Sequence, residues 1–231
     1  MRILITGFGS FPGARKNPTA LLIPALDTQR ARLARLGITL DLSTLPVNYV
    51  KVAHKLEELD ETLRPDAILH FGLATRRKYL SIETRALNRM SLLRFDASGA
   101  RAGRRAVIPG TPHSLRSIFP ARQIEAALRR AGLRARLSVN AGSYVCNETL
   151  YLSLARSHAR SIGFIHVPQL ERSDRPVRAK MSGRPDLHGL TRAALIAILA
   201  TARKLRQEDS GTHRPRQIRA VQDSLPHIMF C

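Results

Sequence analysis

Short apolar runs, each stopped by glycine or proline, alternate along this chain with stretches of helical period, and that alternation leaves few folds open. Arg2 to Thr6 is the first run, closed by Gly7. Ile38 to Leu45, Ala67 to Phe71, Tyr79 to Leu87, Ala135 to Val139 and Ser161 to Val167 follow, each predicted as a strand. Between them lie predicted helices. Asn17 caps one that opens on Pro18 and bends or ends at Pro24. Tyr49 to Leu63 repeats Val52, Leu56, Leu59 and Leu63 at helical spacing. Pro120 to Ala131, Tyr144 to His158 and Leu187 to Arg203 complete the set. Gly7 to Gly13, Asp96 to Gly103 and Glu171 to Gly183 read as loops. Strand and helix in turn predict an α/β domain whose mostly parallel sheet is covered on both faces. Functional groups in such folds gather at the C-terminal ends of strands, and Gly7, Gly72, Asn140 and His166 lie at or near such ends.

With 231 residues and no linker-like stretch, we assign residues 1–206 to a single domain. Residues 207–231 form a polar tail expected to be partly mobile. The apolar stretch after Arg2 runs only from Ile3 to Ile5, so neither a secretion signal nor a membrane span is expected. Two cysteines, Cys146 and Cys231, argue against a disulfide framework and for a reducing compartment, the cytoplasm.

Lys and Arg number 38 against 17 Asp and Glu, a net charge of +21. Charge alone suggests a nucleic-acid or other polyanion binder. Two features oppose specific binding: the basic residues are spread along the whole chain, and only 5% of residues are aromatic and able to stack on bases. Non-specific polyanion attraction remains expected. Gly7, Gly9 and Gly13 follow a strand but miss the dinucleotide-binding spacing, and no paired-cysteine or H-E-x-x-H metal motif occurs.

Cys146 falls in the first turn or two of a predicted helix. A helix start carries partial positive charge and free N–H groups, which favour a thiolate and can hold an oxyanion. The competing role is a small apolar core residue. His166 ends the next strand, and we expect that strand to lie beside the one preceding Cys146, so that both ends face one crevice. A hydrogen-bonded core histidine is the alternative. Glu83, a carboxylate inside an apolar alternating segment, is either the group that orients the imidazole or an outward-facing strand residue.

The stretches ILITGFGSFPGARKNP from Ile3, ILHFGLA from Ile68, IETRALN from Ile82, IPGTP from Ile108, NAGSYVCNETLYLSL from Asn140 and GFIHVPQL from Gly163 occur in that order. Together they resemble the pyroglutamyl peptidase I family of cysteine peptidases over roughly the first three-quarters of the chain. The resemblance implies a three-layer α/β/α sandwich and an intracellular enzyme, often tetrameric, that removes an N-terminal pyroglutamyl residue from peptides without metal or cofactor. It also implies a triad of Glu83, Cys146 and His166, walls for the lactam ring at Phe8 and Phe11, and a loop support at Asn17. An alternative is a degenerate peptidase scaffold that binds polyanions or nucleic acid. Departures from the family pattern are specific. Thr84 stands where the family has arginine. At the oxyanion-side arginine, Leu93 holds the expected position and Arg94, the candidate, is one step on. SFPG replaces PFGG in the pocket loop, and Leu73 stands where some members have a polar side chain. These changes bear on substrate preference more than on the nucleophile.

Overall fold

The computed structural model describes residues 1–11, 14, 17–171 and 184–211. Its centre is a six-stranded sheet. Strand β1 (Arg2–Phe8) pairs in parallel with β2 (Thr39–Leu45) on one side and β3 (Ala67–Leu73) on the other. Strand β8 (Ser161–Val167) continues the parallel set beyond β3. Strand β4 (Leu80–Glu83) then runs antiparallel to β8, and β7 (Ala135–Ser138) closes the sheet parallel to β4. The expected mostly parallel sheet is present, but the expected neighbours are not. β8 and β7 do not touch, because β4 lies between them.

The segment read as one strand from Tyr79 to Leu87 is two. Its second half is β5 (Arg85–Leu87), which forms a separate antiparallel pair with β6 (Ser114–Arg116). Thr84 is the divide. Its N–H and Oγ1 both donate to the Ser138 carbonyl, at 2.7 and 2.9 Å, while its own carbonyl accepts from Ser117 N at 3.0 Å. The chain is therefore held by the large sheet on one side and handed to the small one on the other.

Alternation along the strands sorts the sheet into two apolar faces. Ile3, Ile5, Leu69, Ile82, Ile165 and their neighbours pack under α1 (Pro18–Asp27), α4 (Ala121–Arg130) and α6 (Leu187–Ser210), with the short α2 (Arg30–Ala34) adding Leu33. Leu4, Ile68, Ile162 and Phe164 pack under α3 (Tyr49–Leu63) and α5 (Val145–Arg156). This is the α/β/α sandwich. Pro24 does not end α1, which runs three residues further with the proline on its exposed side. Helix α6 extends past both the reading to Arg203 and the boundary at 206, burying Leu205 and pairing Asp209 with Arg160 at 2.5 Å. The rest of the segment read as a tail, from residue 212, lies outside the described residues, as do residues 172–183 of the segment read as a loop. Among the described residues no helix is long and apolar enough to cross a membrane.

One polar thread crosses the α5 layer. Thr6 Oγ1 lies 2.7 Å from His70 Nδ1, and His70 Nε2 lies 3.0 Å from Ser153 Oγ, so β1, β3 and α5 are joined through one buried imidazole. Burial pushes the His70 pKa down to about 3. The fold thus refuses a proton that the unfolded chain accepts, and the stability this group allows is lost as pH falls from about 6.5 toward 3. His70→Ala should cost about 3 kcal/mol, because it opens a cavity and leaves two buried hydroxyls unpaired. Urea unfolding at pH 7 measures that cost. The variant should also lose this acid dependence.

Candidate active site

The site lies on the α5 side of the sheet, where antiparallel β4 meets β8. The register sets Glu83 opposite Phe164 and Ser81 opposite His166, so Glu83 and His166 stand diagonally on one face. His166 Nδ1 is 2.8 Å from Glu83 Oε1. Arg77, on the connection from β3 to β4, donates to the same oxygen at 2.6 Å and to the Asn140 carbonyl at 2.9 Å. Glu83 is wholly buried, and its Oε2 has no partner among the described residues. Burial works to raise the Glu83 pKa. The hydrogen bond and charge of His166, the nearby Ser138 hydroxyl and the Arg77 charge together outweigh burial and hold it below the ordinary carboxylate value. Of the two roles open to Glu83, an outward-facing residue is excluded. Arg77 was not singled out from the basic run Arg76-Arg77-Lys78, since nothing local separates it from its surface neighbours.

Cys146 is the second residue of α5, whose entry turns at Gly142 with φ of +87°. Its sulfur lies on Gly72, three ångströms from where a Cβ at that position would stand (3.0 Å). Gly72 is the register partner of His166. The structure therefore brings thiol and imidazole to the same point of the sheet, although no hydrogen bond joins them here. A helix start was expected to favour the thiolate. Instead burial, followed by the Glu83 charge, pushes the Cys146 pKa up to about 12, against the lowering effects of Arg94 and of the residue's own N–H. Burial thus favours the neutral thiol.

The loop after β1 is tied down by the cap of α1. Asn17, 2% exposed, accepts from Thr19 N at 3.1 Å and donates to the Gly9 carbonyl at 3.0 Å. Thr19 Oγ1 exchanges hydrogen bonds with the Phe8 backbone, at 2.9 and 3.1 Å. The two candidate wall residues differ. Phe8 is buried with its ring centroid 6.4 Å from that of Phe164, whereas half-buried Phe11 faces Tyr144 at 6.5 Å. Phe164 in turn lies 4.7 Å from the His166 ring.

A strap from Arg89 to Arg105 completes the surroundings. Asn147, buried beside Cys146, accepts from Leu87 N and donates to the carbonyls of Leu87 and Arg89, at 2.8 to 2.9 Å. Tyr144 and Tyr49 donate to the carbonyls of Phe95 and Arg94 at 2.9 and 3.3 Å. Arg94 sits over the Tyr144 ring, 5.2 Å from its centroid, and its charge is felt at Cys146. Sequence reading missed Asn147, although an asparagine in the first turn of a buried helix has to bond something outside it.

A half-buried thiol at a helix start, beside a carboxylate-bound imidazole on an α/β sandwich, defines the class as a cysteine-dependent hydrolase. Comparison with known proteins narrows the class. The sequence model for pyroglutamyl peptidase matches residues 1–203. The pyrrolidone-carboxylate peptidase of Pyrococcus furiosus is 34% identical over 174 residues, 74% of this chain and 82% of the relative. A Ralstonia nicotianae pyrrolidone-carboxylate peptidase is 34% identical over 215 residues, 90% and 94% of the two chains. Among solved structures, pyrrolidone carboxyl peptidase from Thermus thermophilus superimposes with a TM-score of 0.74 at 33% identity, covering 86% of this chain and 99% of that one. A mutant of the Pyrococcus furiosus protein gives 0.79 at 30%, covering 89% and 100%. The chain belongs to the pyroglutamyl peptidase family of cysteine peptidases.

Two outcomes follow from this packing. A Cβ at Gly72 would stand 2.5 Å from Phe164 Cζ and 3.0 Å from the Cys146 sulfur. Gly72→Ala should displace both and cut the rate of thiol alkylation or turnover roughly 10²-fold, with the fold retained. Iodoacetamide kinetics beside a circular dichroism melt will read it. The second outcome concerns Glu148, two residues after Cys146, 5% exposed and with Oε2 unpartnered among the described residues. Burial, against the Arg104 charge and with that of Asp96, pushes its pKa up to about 8. The fold keeps a proton that the unfolded chain releases near pH 4.5, so stability is lost as pH rises toward 8 and above. The full loss should be on the order of 5 kcal/mol. Glu148→Gln should flatten that slope in denaturant titrations between pH 5 and 9.

Proposed function

We propose that this protein hydrolyses the N-terminal pyroglutamyl residue from peptides, with Cys146 as nucleophile, His166 as base and then acid, and Glu83 as the group that orients the imidazole. One observation carries the reading. The imidazole bound to Glu83 stands at the register partner of Gly72, on which the Cys146 sulfur rests.

The chemistry follows from those positions. His166 Nδ1–H donates to Glu83, leaving Nε2 free to accept the thiol proton. A neutral thiol with a raised pKa passes its proton on as it attacks, so the charge appears only when the carbonyl is in place. Sulfur bonds to the pyroglutamyl carbonyl carbon, and the oxyanion forms at the start of α5, where free N–H groups and the Arg94 charge can hold it. As the C–N bond breaks, His166 Nε2–H protonates the leaving amine. Water, activated by the same nitrogen, then cleaves the thioester. The lactam carries no charged amine, which suits an apolar wall such as Phe11. The same reading places the enzyme in a reducing compartment, where the thiol stays free.

The assay is release of aminomethylcoumarin from a pyroglutamyl amide under reducing conditions. Cys146→Ala should lose turnover by roughly 10³-fold or more. Glu83→Gln should lose kcat by about 10²- to 10⁴-fold with KM little moved, since it acts through the imidazole. Undiminished turnover by Cys146→Ala would remove the nucleophile. A folded, reduced wild type inert on the amide would remove the specificity.

A further inference from the structure

Between Glu83 and Glu125 the chain has one acidic residue, Asp96, and the strap from 89 to 105 has five arginines: Arg89, Arg94, Arg101, Arg104 and Arg105. All five are exposed, and among the described residues none forms an ion pair. Asp96 does not offset them at the surface. It is 6% exposed, and its carboxylate is taken up by N–H groups of Tyr49, Ser98 and Ala100 and by the Ser98 hydroxyl, at 2.6 to 3.2 Å. Those bonds fold the strap into a tight loop docked on the start of α3. Its tip is shaped: Phe95 and Arg101 bridge across the loop, with Arg101 Cζ 4.3 Å from the Phe95 ring centroid. A stacked guanidinium is held in place while its in-plane N–H groups stay open for a carboxylate. Phe95 is 56% exposed and Leu93 80%, so the loop shows apolar surface beside its charge.

The strap is next to the thiol, through Tyr144 and Arg94. A pyroglutamyl residue has its nitrogen closed into the ring, so no chain precedes it. Everything that varies between substrates leaves the pocket on the far side of the scissile bond and must cross the rim. Resting on the proposed peptidase activity, we infer that the arginine strap selects pyroglutamyl peptides that carry acidic side chains after the scissile bond. Several unpaired cations held at a rigid rim attract a carboxylate both before and during binding, and ionic strength screens that attraction. The protein's overall charge of +21 would attract acidic peptides too, but it would do so without regard to which arginine is removed.

The test compares kcat/KM for C-terminally amidated peptides in which pyroglutamate is followed by two glutamates, two glutamines or two lysines. The acidic peptide should exceed its glutamine isostere by roughly tenfold at low salt and approach it near 1 M salt. Arg101→Gln and Arg105→Gln should each reduce the ratio of acidic to neutral kcat/KM about threefold. The ratio is taken within one enzyme, so a change in intrinsic rate cancels. Arg129→Gln, on the exposed side of α4, should leave the ratio unchanged. Equal kcat/KM for the acidic and neutral peptides overturns the inference, as does a ratio that falls equally in Arg129→Gln. In either case continued turnover of the pyroglutamyl coumarylamide shows that the activity itself stands. If the wild type leaves the coumarylamide intact, the activity reading fails and the inference fails with it.

Discussion

Glu83 is a carboxylate with no access to solvent, and the site is arranged around the cost of keeping it charged there. Two donors converge on one of its oxygens, the imidazole of His166 and the guanidinium of Arg77. Each is held by its own element: His166 by the register of β8 against β3 and β4, Arg77 by its second bond to the Asn140 carbonyl. Asn140 begins the turn that delivers Cys146. The same guanidinium therefore fastens Glu83 to the loop leading into α5. Removing the carboxylate would free a cation, a base and a loop together. The two outcomes expected at Glu83 and Gly72 differ for this reason, since one alters orientation and the other alters room.

How much of this was legible in the sequence depends on whether the signal was local. Strand β8 and helix α3 match their readings residue for residue, because apolar period, cap and closing proline all sit within the segment. The thiol at a helix start was legible for the same reason, and the ordered motifs supplied the family. Strand order was not. The reading set β8 beside β7, whereas β4 lies between them. A usable signal existed: only six residues separate β3 from β4, too few for the crossover that another parallel strand needs. The break at Thr84 was invisible, because alternation runs straight through it and only the non-local bonds to Ser138 and Ser117 divide it. Arg77 and Asn147 were illegible for a related reason, since their partners lie six and about sixty residues away.

Two buried polar side chains act as clamps on the strap, one in the first turn of α5 and one within the strap's own loop. Asn147 in the first turn of α5 holds the backbone at Leu87 and Arg89, and Asp96 holds the strap's own loop and the first N–H of α3. Burying an amide or a carboxylate is favourable only when its hydrogen bonds are met, and here they are met by backbone groups. A loop fixed in this way can present arginines at a defined place. The shift from Leu93 to Arg94 as the cationic residue is compatible with that scaffold. Arg94 is anchored over Tyr144, the residue at the N-cap of α5, while Leu93 points its apolar side chain to solvent.

Burial first, and then the charge of Glu83, favour the protonated thiol of Cys146. The sulfur rests against Gly72, Glu83 is near, and Arg94, whose positive charge acts on it from the exposed strap, only partly offsets them. A helix start alone does not overcome that burial. A permanently ionised thiolate would add a second buried anion beside Glu83, and like charges in one low-dielectric layer repel strongly. Holding the proton until a carbonyl arrives avoids that state. In the reaction proposed above, the negative charge develops on the substrate oxygen at the helix start, closer to the N–H groups and the cationic strap. In that reaction, the same burial that favours the neutral thiol favours charge on the substrate oxygen, where those donors can stabilise it.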